Sequence, residues 1–239
     1  MPTQTPQSPK PLPTPTEPTE PPREEARLVW KRTGGLAELC DWLTIDGSNR
    51  ARGGSCQEQT WQARLTTDEL RQFPTVLARY QPFAFDIVGN PDDPDAATQR
   101  ITLSGRGTRA PSKEQVREIV QWATAVHARL QEQARRDHVA TAARNLVATG
   151  LGIPSDDITV LRLEATTWRN ACLEVQEPNL ACALVETPGY LVELSASGRT
   201  YRVHASQDGR VKLASEASPA AVPTASPTQM PAQTPVSTA

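Results

Sequence analysis

The chain has 239 residues, 37% of them hydrophobic, and its 25 basic and 27 acidic side chains leave a formal net charge of −2. That length allows one or two domains, and the charge balance provides no global field to draw in nucleic acid or anionic lipid. No apolar run approaches the roughly 18 residues a membrane-spanning helix needs, and no hydrophobic leader opens the chain as written.

The two ends differ from the middle. Residues 1–22, "MPTQTPQSPKPLPTPTEPTEPP", hold nine prolines, and from Pro219 onward proline recurs at 219, 223, 227, 231 and 235. Such segments bury too little apolar surface by themselves to offset ordering entropy, and proline biases them towards extended, polyproline-like conformations. Residues 1–23 are therefore expected to be a disordered Pro/Thr-rich stalk and 216–239 a disordered Pro/Ala/Thr-rich tail. A stalk that begins at residue 2 resembles a mature N-terminus whose targeting sequence is missing. Membrane association is expected only through such a missing N-terminal anchor.

A first domain is expected over 24–133. "ARLVWKRTGG" (26–35) reads as a strand with Leu28 and Trp30 on one face, ending in a Gly-Gly turn. A second strand falls within 36–54, with Asp46-Gly47 as its hairpin signal, and "CQEQTWQARLT" (56–66) alternates as a third. Thr66 and Glu69 have capping-box spacing and open a helix with Leu70, Phe73, Leu77 and Tyr80 in register, which Pro74 is expected to kink or interrupt. The loop "GNPDDPDAA" follows, then a strand in "TQRITLSGRG". Ser112 and Gln115 form a second capping pair before the clearest helix, with Val116, Ile119, Val120, Ala123, Val126 and Leu130 on one face. The order βββ-α-β-α specifies an α+β domain.

The second domain is expected over 138–215. A short helix, "HVATAARNLVATGLGIP", is stopped by Gly150, Gly152 and Pro154. "DITVLRLEATTW" follows as a strand. The remainder reads as three more strands joined by turns at Pro188-Gly189, Ser197-Gly198 and Asp208-Gly209, with the helix laid across an antiparallel meander. The fold class is thus α+β, as two small domains, each an antiparallel sheet with packed helices.

The four cysteines stand at 40, 56, 172 and 182. Zinc sites favour close spacings completed by His or Cys, whereas these pairs are C-x15-C and C-x9-C with no histidine within twenty residues. A catalytic thiol whose histidine is distant in sequence stays open on spacing alone. Two local pairs, one per domain, fit disulfides Cys40–Cys56 and Cys172–Cys182 better than any other arrangement. Disulfides persist in oxidising compartments, so the cysteines and the stalk point together to an extracytoplasmic, secreted or surface-anchored protein.

Within the first domain, "KRTGGLAE" (31–38) and "LTIDG" (43–47) precede the capped helix at 66 and a strand-then-helix ending. This half resembles the emfourins, small bacterial inhibitors of thermolysin-like metallopeptidases. Arg32, Gly34, Gly35 and Ala37 match the family's R-x-G-G-x-A pattern, while Leu36 replaces its usual aromatic and the cysteine pair is additional. The resemblance implies a partner-binding segment at Arg32, Gly34, Gly35 and Leu36, with a metallopeptidase as partner. The plain alternative is that Gly34-Gly35 form a turn that needs positive φ.

In the second half, Leu151-Gly152-Ile153-Pro154, Trp168, Cys172-Leu173, Cys182, Pro188-Gly189-Tyr190 and Tyr201 resemble a small uncharacterised domain of exported cyanobacterial and Chloroflexi-type bacterial proteins. Asn170-Ala171 and Glu174 depart from its pattern. This resemblance implies fold and exported context only.

No motif for a cofactor or metal is present, and none is expected. His204, Ser206 and Asp208 share one strand-to-turn segment without a G-x-S-x-G elbow or H-E-x-x-H helix, and read as a strand end followed by a polar turn. His127 and His138 read as surface or boundary histidines. The leading expectation is a non-catalytic binding protein. A passive surface or stalk protein, and a hydrolase with an unrecognised site, are the alternatives. The tryptophans at 30, 42, 61, 122 and 168 discriminate: exposed ones would anchor a partner, buried ones would not.

Overall fold

A computed structural model describes residues 26–35, 38–55, 60–88, 96–176 and 181–219, the last five as backbone alone. The expected disordered stalk 1–23 lies outside the described residues, as does 220–239 of the expected tail 216–239, whereas residues 216–219 are strand rather than tail. The chain divides into two compact units, residues 1–127 and 128–239.

In the first unit, β1 (Ala26–Gly34), β2 (Leu39–Asp46), β3 (Arg50–Ser55), β4 (Thr60–Arg64), β5 (Phe83–Ile87) and β6 (Ala97–Leu103) form one antiparallel sheet in the order β4-β3-β2-β1-β6-β5. Register places Leu28 opposite Ile45 and Leu103, and Trp30 opposite Leu43 and Ile101. Because side chains alternate across a strand, these six share one face, and all are buried.

Two strands exceed the expected set. β3 carries Gly53 and Gly54, both buried. In the sheet each glycine faces a tryptophan: Trp42 pairs with Gly54, and Trp61 with Gly53. β5 is an edge strand whose Phe83, Phe85 and Ile87 alternate.

The helix α1 (Thr67–Arg79) opens with the expected reciprocal capping box between Thr66 and Glu69. It is not interrupted, since Pro74 lies inside its continuous run. Phe73, Leu77 and Tyr80 are buried as expected, whereas Leu70 is exposed.

The largest departure concerns α2, which runs unbroken from Lys113 to Leu151 across the boundary between the units. The sequence reading divides it into two helices with a domain boundary at 133–138. The intervening "QEQARRD" contains neither proline nor glycine, and Gln, Glu, Ala and Arg are good helix formers, so nothing stops the helix there.

In the second unit, β7 (Thr159–Trp168), β8 (Thr187–Ala196), β9 (Arg199–Ser206) and β10 (Val211–Pro219) form a meander in the order β10-β9-β8-β7. The C-terminal part of α2 supplies Val139, Ala143, Val147 and Ala148 to a core shared with Val192, Leu194, Tyr201 and Val203. Pro188-Gly189 is not a turn but lies inside β8, and β10 continues to Pro219 rather than ending at 215. Both units are α+β, with helices packed on antiparallel sheets.

Candidate functional site

The hairpin joining β1 to β2 holds the residues implied in partner binding. Gly34 pairs with Leu39 at its mouth. Gly34 and Gly35 have φ of +95° and +77°, and the turn closes with the Glu38 amide donating to the Gly35 carbonyl at 3.0 Å. These are left-handed conformations that a side chain disfavours, so the turn reading of the two glycines holds. Leu36, and Ala37 beside it, lie outside the described residues.

Below the tip, Arg32 and Asp41 are directly opposed across the two strands. The Arg32 Nε donates to Asp41 Oδ2 at 2.9 Å, and its Nη2 donates to the same oxygen. The guanidinium also lies 5.9 Å from the Trp30 ring centroid. Arg32 therefore braces the base of the hairpin rather than projecting as a free contact. Cys40 is disulfide-bonded, whereas Cys56, its expected partner, lies outside the described residues.

Beneath this brace sits His127, which the sequence reading places at a surface or boundary. It is 3% exposed. Its ring lies 5.3 Å from Trp30 and 5.2 Å from Trp61, and Nε2 is 3.3 Å from the Gly54 carbonyl. The signal was present in the spacing: His127 follows Ala123 by four and precedes Leu130 by three, on the buried face of α2. Burial holds the His127 pKa below its ordinary value, against opposing contributions from the Gly54 carbonyl and Asp41, while Arg32 adds to the depression.

A pH dependence follows. With the folded pKa depressed, the unfolded chain binds the proton more readily, so stability is lost as pH falls from about 6.5 through the folded value. Thermal melting of the first unit is expected to drop over that window in the wild type. His127→Phe, which keeps a ring in the pocket without a titrating group, should flatten the drop. An unchanged acid profile in the variant would assign the loss to other groups.

In the second unit, the histidine, serine and aspartate of "HASQDG" do not converge into a triad. His204 Nδ1 donates to the Leu173 carbonyl at 2.7 Å, and its ring stacks on Trp168 at 4.0 Å. The Ser206 hydroxyl is engaged by Asp208 and the Arg210 carbonyl, and Asp208 pairs with Arg210 at 3.1 Å. Asp208 is held below its ordinary pKa, first by the Ser206 hydroxyl. This is a polar turn closing β9 to β10, as expected.

The Cys172–Cys182 disulfide is formed, with Cα atoms 5.6 Å apart. It secures a turn in which Leu173 and Glu174 both have positive φ, +59° and +57°. Asn170 Oδ1 accepts from the Cys172 and Glu174 amides, each at 3.0 Å. The turn therefore depends on the residue at which this chain departs from the resembled pattern.

Among the described residues, no three or more His, Cys, Asp or Glu side chains group so as to hold a metal ion. None of their helices is long and apolar enough to cross a membrane. Trp30 and Trp168 are buried; Trp42, Trp61 and Trp122 are partly exposed, and none of the five is fully exposed.

Residues 140–214 match the family model of a domain of unknown function, DUF8738. That span is 75 of the 239 residues, all within the second unit. No match to the emfourin family accompanies it. No curated protein and no solved structure matches the chain.

Proposed function

We propose that the chain is a non-catalytic, extracytoplasmic binding protein whose first unit engages a protein partner, of the metallopeptidase class, through the β1–β2 tip. The observation that carries this reading is the preorganised hairpin. Two left-handed glycines form the turn, and Arg32–Asp41 together with half-cystine Cys40 brace its base. A segment already fixed in its bound shape loses less entropy on binding. Among the described residues, a β-carbon on Gly34 would make only an ordinary contact with the Ala96 carbonyl at 3.9 Å. The extracytoplasmic part is supported by the Cys172–Cys182 disulfide and by the stalk-like composition of the N-terminal segment.

The test is titration of the intact chain against a panel of thermolysin-like metallopeptidases, with Gly35→Val as control. Valine disfavours the positive φ of Gly35 and should weaken inhibition at least tenfold by distorting the tip. Arg32→Ala should weaken it less, because the arginine acts by bracing. Equal inertness of wild type and Gly35→Val across the panel would remove the inhibitor reading.

A further inference from the structure

A second surface of the first unit, away from the hairpin tip, has its own ligand chemistry. A groove of about 290 Å³ runs between α1 and the start of α2. Its apolar lining includes Val76, Tyr80, Ile119 and Trp122; Arg71 and Arg79 stand along its α1 wall, and among the described residues Glu118 is the one carboxylate in the lining, on the α2 side. The Trp122 ring is partly exposed and stacks on Phe73 at 5.6 Å, and its Nε1 is a buried donor with no hydrogen-bond partner among the described residues. Arg79 has no ion-pair partner among the described residues, and Arg71 has only the exposed Asp68 at 3.3 Å, a pair of the kind that contributes little and can re-form.

We propose that this groove takes up the acidic proline-rich segment Glu17–Pro22 of the same chain. Aromatic-lined grooves recognise polyproline helices, which come preformed and offer unpaired carbonyls. Glu17 and Glu20 are three residues apart, so in a polyproline helix they lie on one edge about 9 Å from each other. Arg71 and Arg79 are eight residues apart on α1, or roughly 12 Å along the axis, and long guanidinium side chains close the difference. The composition of the segment offers little apolar surface of its own, and a ready-made groove supplies what it lacks.

The geometry of the chain's exit supports the assignment. The Arg27 carbonyl, one residue into β1, accepts from the Ser104 amide at 2.8 Å. Two residues further, the Arg106 amide donates to the Leu77 carbonyl, and the Gly107 amide donates to the Tyr80 carbonyl at 2.9 Å. The start of β1 is therefore linked, through residues 104–107, to the C-terminal end of α1. Five residues lie between Glu20 and Ala26, and the six Cα–Cα steps can span up to about 20 Å, a reach that allows Glu20 to meet Arg79 and Glu17 to meet Arg71. Tethering keeps the effective concentration on the order of mM.

The experiment uses the intact chain, with the Trp122 indole ¹⁵N–¹H signal, assigned through Trp122→Phe, as reporter. Glu17→Lys with Glu20→Lys alters no residue of the described sheet and helices and so tests docking without changing their packing. That pair should shift the signal and speed hydrogen exchange of the indole about tenfold, as expected on emptying a site filled at ~mM effective concentration. Arg71→Glu with Arg79→Glu should do the same, and all four substitutions together should restore wild-type behaviour. A Trp122 signal unchanged by Glu17→Lys with Glu20→Lys overturns the proposal. A wild-type signal that moves on dilution also overturns it, because the occupant would then be the segment of a second copy.

Discussion

Gly189→Ala is expected to cost the second unit about 3 kcal/mol, a loss of roughly a hundredfold in the folded-to-unfolded ratio. Gly189 lies in β8 between Trp168 at the end of β7 and Ala205 in β9. The Trp168 indole reaches across it, and its Nε1 donates to the Ala205 carbonyl at 2.8 Å. A β-carbon on residue 189 would sit 2.0 Å from that carbonyl oxygen and 2.5 Å from the indole nitrogen. One neighbour is sheet backbone and the other a ring clamped against His204, so neither yields cheaply. Gly150→Ala makes the same chemical change in the last turn of α2, where a β-carbon meets nothing within 4 Å among the described residues. It should instead stabilise by several tenths of a kcal/mol. Amide exchange across β8 and β9 measures both: protection should collapse in the first variant and hold or rise in the second.

Removing the Cys172–Cys182 bond is the second large effect. Closing a loop of this length is worth on the order of 2.8 kcal/mol in the chain-entropy model. Local geometry adds to the consequence, because two successive non-glycine residues, Leu173 and Glu174, hold positive φ beside the bond. Releasing the clamp lets them relax, and with them goes the carbonyl that holds His204 against Trp168. Cys172→Ser with Cys182→Ser is expected to lower stability by about 2–4 kcal/mol and to loosen the Trp168–His204 stack, visible in near-ultraviolet circular dichroism. Urea unfolding that does not differ from wild type would show that the turn holds without its disulfide. In protein from the native host, four free thiols would contradict the oxidising compartment.

The legible parts of this fold are those in which one local signal has one physical meaning. Thr66 with Glu69 and Ser112 with Gln115 form the capping pairs their spacing announces. Leu28 and Trp30 point inward as their alternation requires. Asp46 terminates β2 by accepting from Ser48 and Arg50, with Asn49 at φ +62°. Signals with two meanings misled. Glycine at 189 suggested a turn, but its use here is to leave space for the Trp168 indole from the neighbouring strand, which only tertiary structure reveals. Histidine at 127 suggested a boundary, yet it occupies a buried position between two indoles. The two apolar faces of α2 suggested two helices because each serves a different core, while the polar stretch between them is ordinary helix. At the candidate site the glycine turn was legible. The bracing role of Arg32 was not, because it depends on Asp41 across the strand pair.

The central claim is that partner binding runs through the β1–β2 tip. Its most direct measurement is hydrogen–deuterium exchange on the intact chain with and without a saturating thermolysin-like metallopeptidase, inactivated by zinc removal so that it cannot digest the sample. The account predicts slowed exchange concentrated in residues 33–41, with β7 to β10 unchanged. Slowed exchange confined to the second unit, or none anywhere at saturation, would contradict it.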